Sequence, residues 1–295
     1  LVNVQRAGPS TGMPTRTQQS DVLACAYASH GDSKQILLFP ENPTECFELG
    51  AQAFDLADQL QTPVIIMSDL DLGMNDHLTP EFNWNNKNKY QLGKVLSAQQ
   101  LDELDVYGRY LDTDGDGICY RTLPGTHPDK GAYFNRGTSR NQYAAYTEKP
   151  ADYIENMERL TRKFATARQL LPQPEIKQGK KIAKIGLIYY GTTSHAITEA
   201  VDQLKEHGLS ADTIRIKAFP FNAQLDKFID DHQQVFMIEQ NRDGQMKSLI
   251  VNECQIDPVK LNAVLHFDGL PITSQFIVEE ILNHLSAEQS AQQVS

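Results

Sequence analysis

Arg6 and Arg16 are the residues of this chain best suited to chemistry on an anion. They flank a loop of small and stiff residues: Gly8, Pro9, Ser10, Thr11, Gly12, Pro14 and Thr15. The loop follows an apolar, strand-like start and runs to Asp21. A guanidinium offers a fixed fork of donors that matches a carboxylate or phosphate. The ordinary reading is two surface arginines on a loop. The Gly-Pro-rich setting at a strand end favours an anion role, because open parallel sheets bind ligands beyond the carboxyl ends of their strands.

Other candidate motifs are weaker. Asp112-Thr-Asp-Gly-Asp-Gly117 places carboxylates at alternate positions like the start of a calcium loop, but its twelfth position is Leu123 rather than a glutamate. A solvated turn is the better expectation, and no metal site is assigned. Gly191-Thr-Thr-Ser-His195 lacks both GxGxxG and GK[ST], so it reads as a capped strand-to-helix turn. Glu239-Gln-Asn-Arg-Asp-Gly-Gln245 reads first as a polar turn; the alternative puts the Gln240 and Asn241 amides at an interdomain or subunit contact. His30 and His127 stand without HExxH, a nucleophile elbow or a Cys–His pattern, and no catalytic residue is assigned.

The elements that would position these groups fall in three zones. In residues 1–75, Gln35–Phe39 and Val64–Ser68 are short apolar runs, so buried strands. A helix between them opens at Asn42-Pro-Thr-Glu, with Thr44 able to cap it, and stops at Thr62-Pro63. Strand, helix, strand implies a parallel sheet with helices on its faces. Residues 76–178 are polar and rich in Asn, Asp, Gly, Tyr and Arg, a long irregular segment whose aromatics argue for order, with a helix over Tyr153–Leu171. Residues 179–295 give strands at Ile182–Tyr190, Thr213–Ala218, Val235–Glu239 and Leu261–Phe267. Helices follow the first two, and Thr273–Leu285 is a terminal helix before a frayed tail. The fold class is therefore α/β, with two open, mostly parallel sheets joined by a long irregular segment.

Bulk properties narrow the function. The chain has 295 residues, 40% hydrophobic and 22% charged, the composition of a globular protein with room for two cores. A net charge of -11 argues against nucleic acid as a partner. No apolar run reaches the length of a membrane span. The four cysteines are scattered without CxxC, so no zinc or iron–sulfur site is expected here and a reducing, cytoplasmic setting is. Leu1 begins in the middle of a strand pattern, and the natural chain is expected to be longer.

The segments QRAGPSTGMPTRTQQSD, HGD, ENPTECFELGAQAFDLADQLQTPVIIMSD, DGDGICYRTLPGTHPDKGAYFNRGTS, YTEKPADYIENMERLTRKF and EQNRDGQM together resemble the alpha subunit of 2-oxoacid:ferredoxin oxidoreductases. The middle stretch looks most like the 2-oxoglutarate branch; the pyruvate and branched-chain members are the alternatives, and a non-catalytic assembly module is a further one. The resemblance implies that residues 1–75 are the second half of a pyrimidine-binding thiamine domain, 76–178 a connecting segment with a helix, and 179–295 a transketolase C-terminal-like domain. It implies oxidative decarboxylation of a 2-oxoacid, with reduction of ferredoxin and acyl transfer to coenzyme A. Thiamine diphosphate, Mg2+ and an iron–sulfur cluster are expected in the whole complex, bound mainly by a beta subunit or by an N-terminal part. The Tyr-Pro-Ile-Thr-Pro motif and activating glutamate of that part are not in this sequence, so the site within the chain is incomplete. Carried onto this chain, the resemblance makes Arg16 the holder of the substrate carboxylate, with Arg6, Ser10 and Thr11 as supporting contacts.

Overall fold

The computed structural model describes residues 1–84, 90–135 and 137–294. Two compact units divide the chain: Leu1–Ala53, Val64–Trp84 and Pro172–Ser295 form one, and Phe54–Pro63 with Asn85–Leu171 the other.

The larger unit contains two sheets. Strands β1 (Val2–Gln5), β2 (Ile36–Leu38) and β3 (Val64–Asp69) run parallel in the order β1-β3-β2. The runs Ile36-Leu-Leu and Val64-Ile-Ile-Met are buried, as expected of strands covered on both faces. Between β1 and β2 lies the short helix α1 (Val22–Ala26), whose Val22 and Ala26 enter the core. Helix α2 (Pro43–Leu60) crosses from β2 to β3. Its cap is Asn42, whose side chain accepts from the Glu45 amide at 2.9 Å, rather than Thr44. Pro43 is the reason: it fills the first helical position, where a missing N–H costs nothing. A short helix α3 (Leu70–Met74) follows β3, capped by Asp69.

The second sheet orders its strands β4-β6-β5-β8-β9. They are β4 (Glu175–Lys177), β5 (Ile185–Tyr190), β6 (Ala211–Ile216), β8 (Gln234–Glu239) and β9 (Leu261–Leu265), with β7 (Ala218–Phe219) between β6 and β8 in sequence. All but β4 are parallel. The sequence reads β6 and β7 as one strand. The chain instead leaves the second sheet at Lys217, and β7 pairs antiparallel with β2, so the first sheet carries four strands. Helices α6 (Ser194–Glu206), α7 (Ala223–Asp231), α8 (Gln245–Cys254) and α9 (Ser274–Val294) cover this sheet. Helix α9 extends through the segment read as a frayed tail. Gly208 ends α6 with φ +77°, where the left-handed region favours glycine.

One apolar cluster runs through both sheets, from Leu37, Phe39 and Met67 to Ile188, Tyr190 and Met237. It is reinforced by a buried ion network. Arg215, on β6, meets Glu45 of α2 with two nitrogens at 2.7 Å and Glu175 of β4 at 3.0 Å. Lys217 joins Glu45 at 2.7 Å.

The smaller unit holds α4 (Ala98–Glu103) and α5 (Pro150–Leu170), the latter close to the sequence expectation. The Asp112–Gly117 turn is solvated at its tip, where Thr113, Asp114 and Gly115 are exposed, and held at its ends. Asp112 accepts from the Gly117 amide at 3.0 Å and from Arg162 at 3.0 Å, and Lys94 pairs with Asp114 and Asp116. Gly117 has φ +79°, and a methyl there would sit 2.2 Å from the Lys163 amide nitrogen on α5. Aromatic rings here carry cations: the Arg109 and Arg140 guanidiniums lie 5.0 and 4.7 Å from the Tyr110 ring.

Candidate substrate site

The arginine loop leaves the carboxyl end of β1 and folds back on itself. The Ala7 amide donates to Arg16 O at 2.9 Å, the Met13 amide to Ala7 O at 2.8 Å, and the Arg16 amide to Met13 O at 3.1 Å. Gly12 has φ +49°, and a methyl on it would lie 2.0 Å from Ala7 O. Only glycine closes this turn. Thr17 then donates its amide to Gly269 O at 3.1 Å, tying the loop to the chain beyond β9. The Arg16 stem lies against Gly269, where a methyl would meet its Cβ at 3.0 Å.

Arg6, Ser10, Thr11 and Arg16 are all exposed. Neither arginine forms an ion pair with any described residue. Arg6 and Ser10 line a cleft of about 700 Å³ together with Asn3, Asp21, Arg242 and Phe267. Arg16 and Thr11 are not among the residues lining it. The four sequence candidates are therefore carried by one loop, but only two of them border the cleft. Among the other lining residues, Arg242 is engaged by Asp243, Nε to Oδ1 at 2.7 Å.

Behind the loop lies a buried polar cluster at the carboxyl ends of the strands. In the second sheet the strand order turns back between β5 and β8, the crevice where open α/β sheets place ligands. Gln19 fills it. Its amide donates to Gln240 O at 2.7 Å, and its side-chain oxygen accepts from the Gln240 amide at 3.2 Å and from Thr193 Oγ1 at 3.3 Å. Asn241 Nδ2 donates to Gln19 O at 3.0 Å. Gln240 Nε2 reaches Thr192 and Thr193, and Thr192 Oγ1 donates to Asp69 at 2.6 Å. The Glu239–Gln245 motif is a turn, with Gly244 at φ +59°, and the alternative contact reading holds beside it: the buried Gln240 carbonyl accepts from the Gln19 amide and Asn241 Nδ2 donates to Gln19 O. The Thr192-Thr193 turn does run from strand to helix as expected, but without a side-chain cap at Thr193.

Gln19 and Asp69 escaped the sequence reading, while Thr192, Thr193 and Glu239 stood in motifs read as turns. The available signal was positional for Asp69, Thr192, Thr193 and Glu239, which stand at or just beyond the ends of apolar strands; Gln19 carries no such signal. Glu239 is wholly buried and accepts from the Met246 and Lys247 amides and from Asn241 Nδ2, at 2.8, 3.0 and 2.6 Å. Burial pushes its carboxyl above the usual range, and these donors oppose that rise. Burial likewise raises Asp69, against the Thr192 hydroxyl and the Leu72 and Asp71 amides.

Five carboxylates are buried among the described residues, and all are engaged. Besides Glu239, Glu45 and Asp69, Asp71 holds Asn75 and Asp212 accepts from Ala183 N at 2.8 Å and faces His232 Nε2 at 3.1 Å. Each of the five thus already has partners within the chain. No cluster of metal-ligating side chains occurs among the described residues, and none of their helices is long and apolar enough to cross a membrane.

Two open, mostly parallel sheets, joined through a clamped arginine loop, define an α/β protein whose candidate site lies at the carboxyl ends of the strands. Residues 1–90 match the family described as pyruvate flavodoxin/ferredoxin oxidoreductase, thiamine diphosphate-binding. The chain is 31% identical to 2-oxoacid:ferredoxin oxidoreductase 2, subunit alpha, of Aeropyrum pernix, over 91% of this chain and 41% of that one. It is 27% identical to 2-oxoglutarate synthase subunit KorA of Methanothermobacter marburgensis, over 83% of this chain and 63% of that one. A solved 2-oxoglutarate:ferredoxin oxidoreductase from Magnetococcus marinus, with 2-oxoglutarate, coenzyme A and succinyl-CoA bound, matches with a TM-score of 0.82 and 27% identity, over 96% of this chain and 48% of that one. The chain is thus similar to alpha subunits of 2-oxoacid:ferredoxin oxidoreductases over most of its length. It spans less than two thirds of the length of each of these relatives.

Proposed function

We propose that this chain supplies one wall of the 2-oxoacid site in a 2-oxoglutarate:ferredoxin oxidoreductase. Arg16 holds the C1 carboxylate of the substrate, and Arg6, Ser10 and Thr11 support it. The observation that carries this reading is the pair of exposed, unpaired guanidiniums on a loop fixed by its own backbone and by the Gln19 clamp. A positioned guanidinium aligns the carboxylate for loss of CO2, an orientation effect that lowers the activation barrier.

In this proposal residues 1–75 are the second half of a pyrimidine-binding domain and 179–295 a transketolase C-terminal-like domain, with 76–178 connecting them. The beta subunit and a further part of the alpha subunit complete the site. Thiamine diphosphate, when bound there, stabilises the electron pair left by decarboxylation. Mg2+ and the iron–sulfur cluster also lie outside this chain, ferredoxin takes the electrons, and coenzyme A takes the acyl group. The four cysteines are unbridged, in keeping with a reducing, cytoplasmic setting.

Substrate choice is tested on the assembled complex by following viologen reduction with 2-oxoglutarate and with pyruvate. Turnover of 2-oxoglutarate well above pyruvate is expected. A complex active on pyruvate and inactive on 2-oxoglutarate would overturn the branch assignment.

A further inference from the structure

We infer that Gln19 is a positioning residue: clamped by Gln240 and Asn241 of the second sheet, it sets the Arg16 loop at its working distance from the substrate. This inference rests on the reading of Arg16 given above.

Three observations carry it. Gln19 lies three residues beyond Arg16 and is almost wholly buried, whereas the loop it ends is exposed. Its backbone and side chain are held on both sides. The amide and carbonyl bond to Gln240 O at 2.7 Å and Asn241 Nδ2 at 3.0 Å, while the side-chain oxygen takes the Gln240 amide at 3.2 Å and the side-chain nitrogen reaches Tyr190 O at 3.4 Å. The partners are themselves fixed. Gln240 Oε1 accepts from the Ile272 amide at 3.3 Å, and Asn241 Oδ1 from the Gln245 amide at 3.1 Å. The register of the arginine loop is thus set by a strand end of the other sheet, far away in sequence. A binding group works only when its support is rigid, and a shift of about 1 Å costs up to about a hundredfold in rate.

The test compares Gln19→Met, which keeps the side-chain shape and loses its hydrogen bonds, with Gln19→Glu, which keeps the acceptor for the Gln240 amide. Both are made in the full alpha–beta complex. Gln19→Met should raise KM for the 2-oxoacid about tenfold with kcat changed far less, and Gln19→Glu should restore part of that loss. In an Arg16→Ala background, Gln19→Met should add no further change in KM. Hydrogen exchange of the Ala7–Thr17 amides should quicken in Gln19→Met while exchange in β3 and β5 stays as in the parent. A Gln19→Met complex with parental KM and parental loop exchange would overturn the inference, as would a KM effect that persists undiminished without Arg16. If Arg16→Ala alone leaves KM unchanged, the substrate reading fails; loop exchange still decides whether Gln19 fixes the loop.

Discussion

Arg215 grips Glu45 fork to fork, Nη1 to Oε2 and Nη2 to Oε1, each at 2.7 Å. The arginine side chain is 2% exposed, and the pair joins β6 of the second sheet to α2 beside the first. Burial would raise the Glu45 carboxyl, but Arg215 and Lys217 outweigh it and hold the carboxyl near a pKa of about 2. Glu45→Ala leaves a buried guanidinium with less compensation and should destabilise the fold by about 3–5 kcal/mol, read as a lower urea midpoint at pH 7. A midpoint within error of the parent would remove this pair from the stability account.

The same pair sets an acid limit. The folded pKa of Glu45 lies below its ordinary value of 4.5. Its stabilising contribution is therefore complete above that value and is lost as pH falls toward about 2. Urea midpoints measured across this window should fall more steeply for the parent than for Glu45→Gln.

Lys163 presents the opposite sign. It is buried on α5, makes no ion pair with any described residue, and burial with the nearby Arg159 charge lowers its pKa to about 8. Below pH 8 the folded state must hold an unfavourable charge, and this cost fades as pH rises from about 8 toward 10.5. Lys163→Met should stabilise the smaller unit by about 1–3 kcal/mol at pH 7, with the gain disappearing near pH 10.5. Thermal melts of the two proteins at both pH values provide the check.

Much of the architecture was legible because burial on both sides writes itself as short apolar runs: Val64–Ser68 and Ile182–Tyr190 read as strands, and strands form at Val64–Asp69 and Ile185–Tyr190. The arginine loop was legible through Gly12 and its prolines. The crossing of β7 to β2 was not, since Thr213–Ala218 is continuous in pattern and the departure at Lys217 depends on a distant partner. Nor was the clamp. Gln19, Gln240 and Asn241 are ordinary surface residue types, and their burial follows only when β1, β5 and β8 bring their carboxyl ends together.

Gly12→Ala tests the loop itself. With φ +49° and a methyl 2.0 Å from Ala7 O, the turn cannot close as it stands. Substrate KM should rise at least tenfold, while the urea midpoint moves less than it does for Glu45→Ala. An unchanged KM would separate the loop from substrate binding.

The role of Arg16 is read from the Michaelis constant for 2-oxoglutarate in the assembled complex carrying Arg16→Ala. Loss of a charge-assisted contact to the substrate costs on the order of 2–5 kcal/mol, so kcat/KM should fall roughly thirtyfold or more, with most of the loss in KM. Arg16→Lys, which keeps the charge without the fork, should recover part of it. A complex with Arg16→Ala and a parental KM for 2-oxoglutarate would contradict the account.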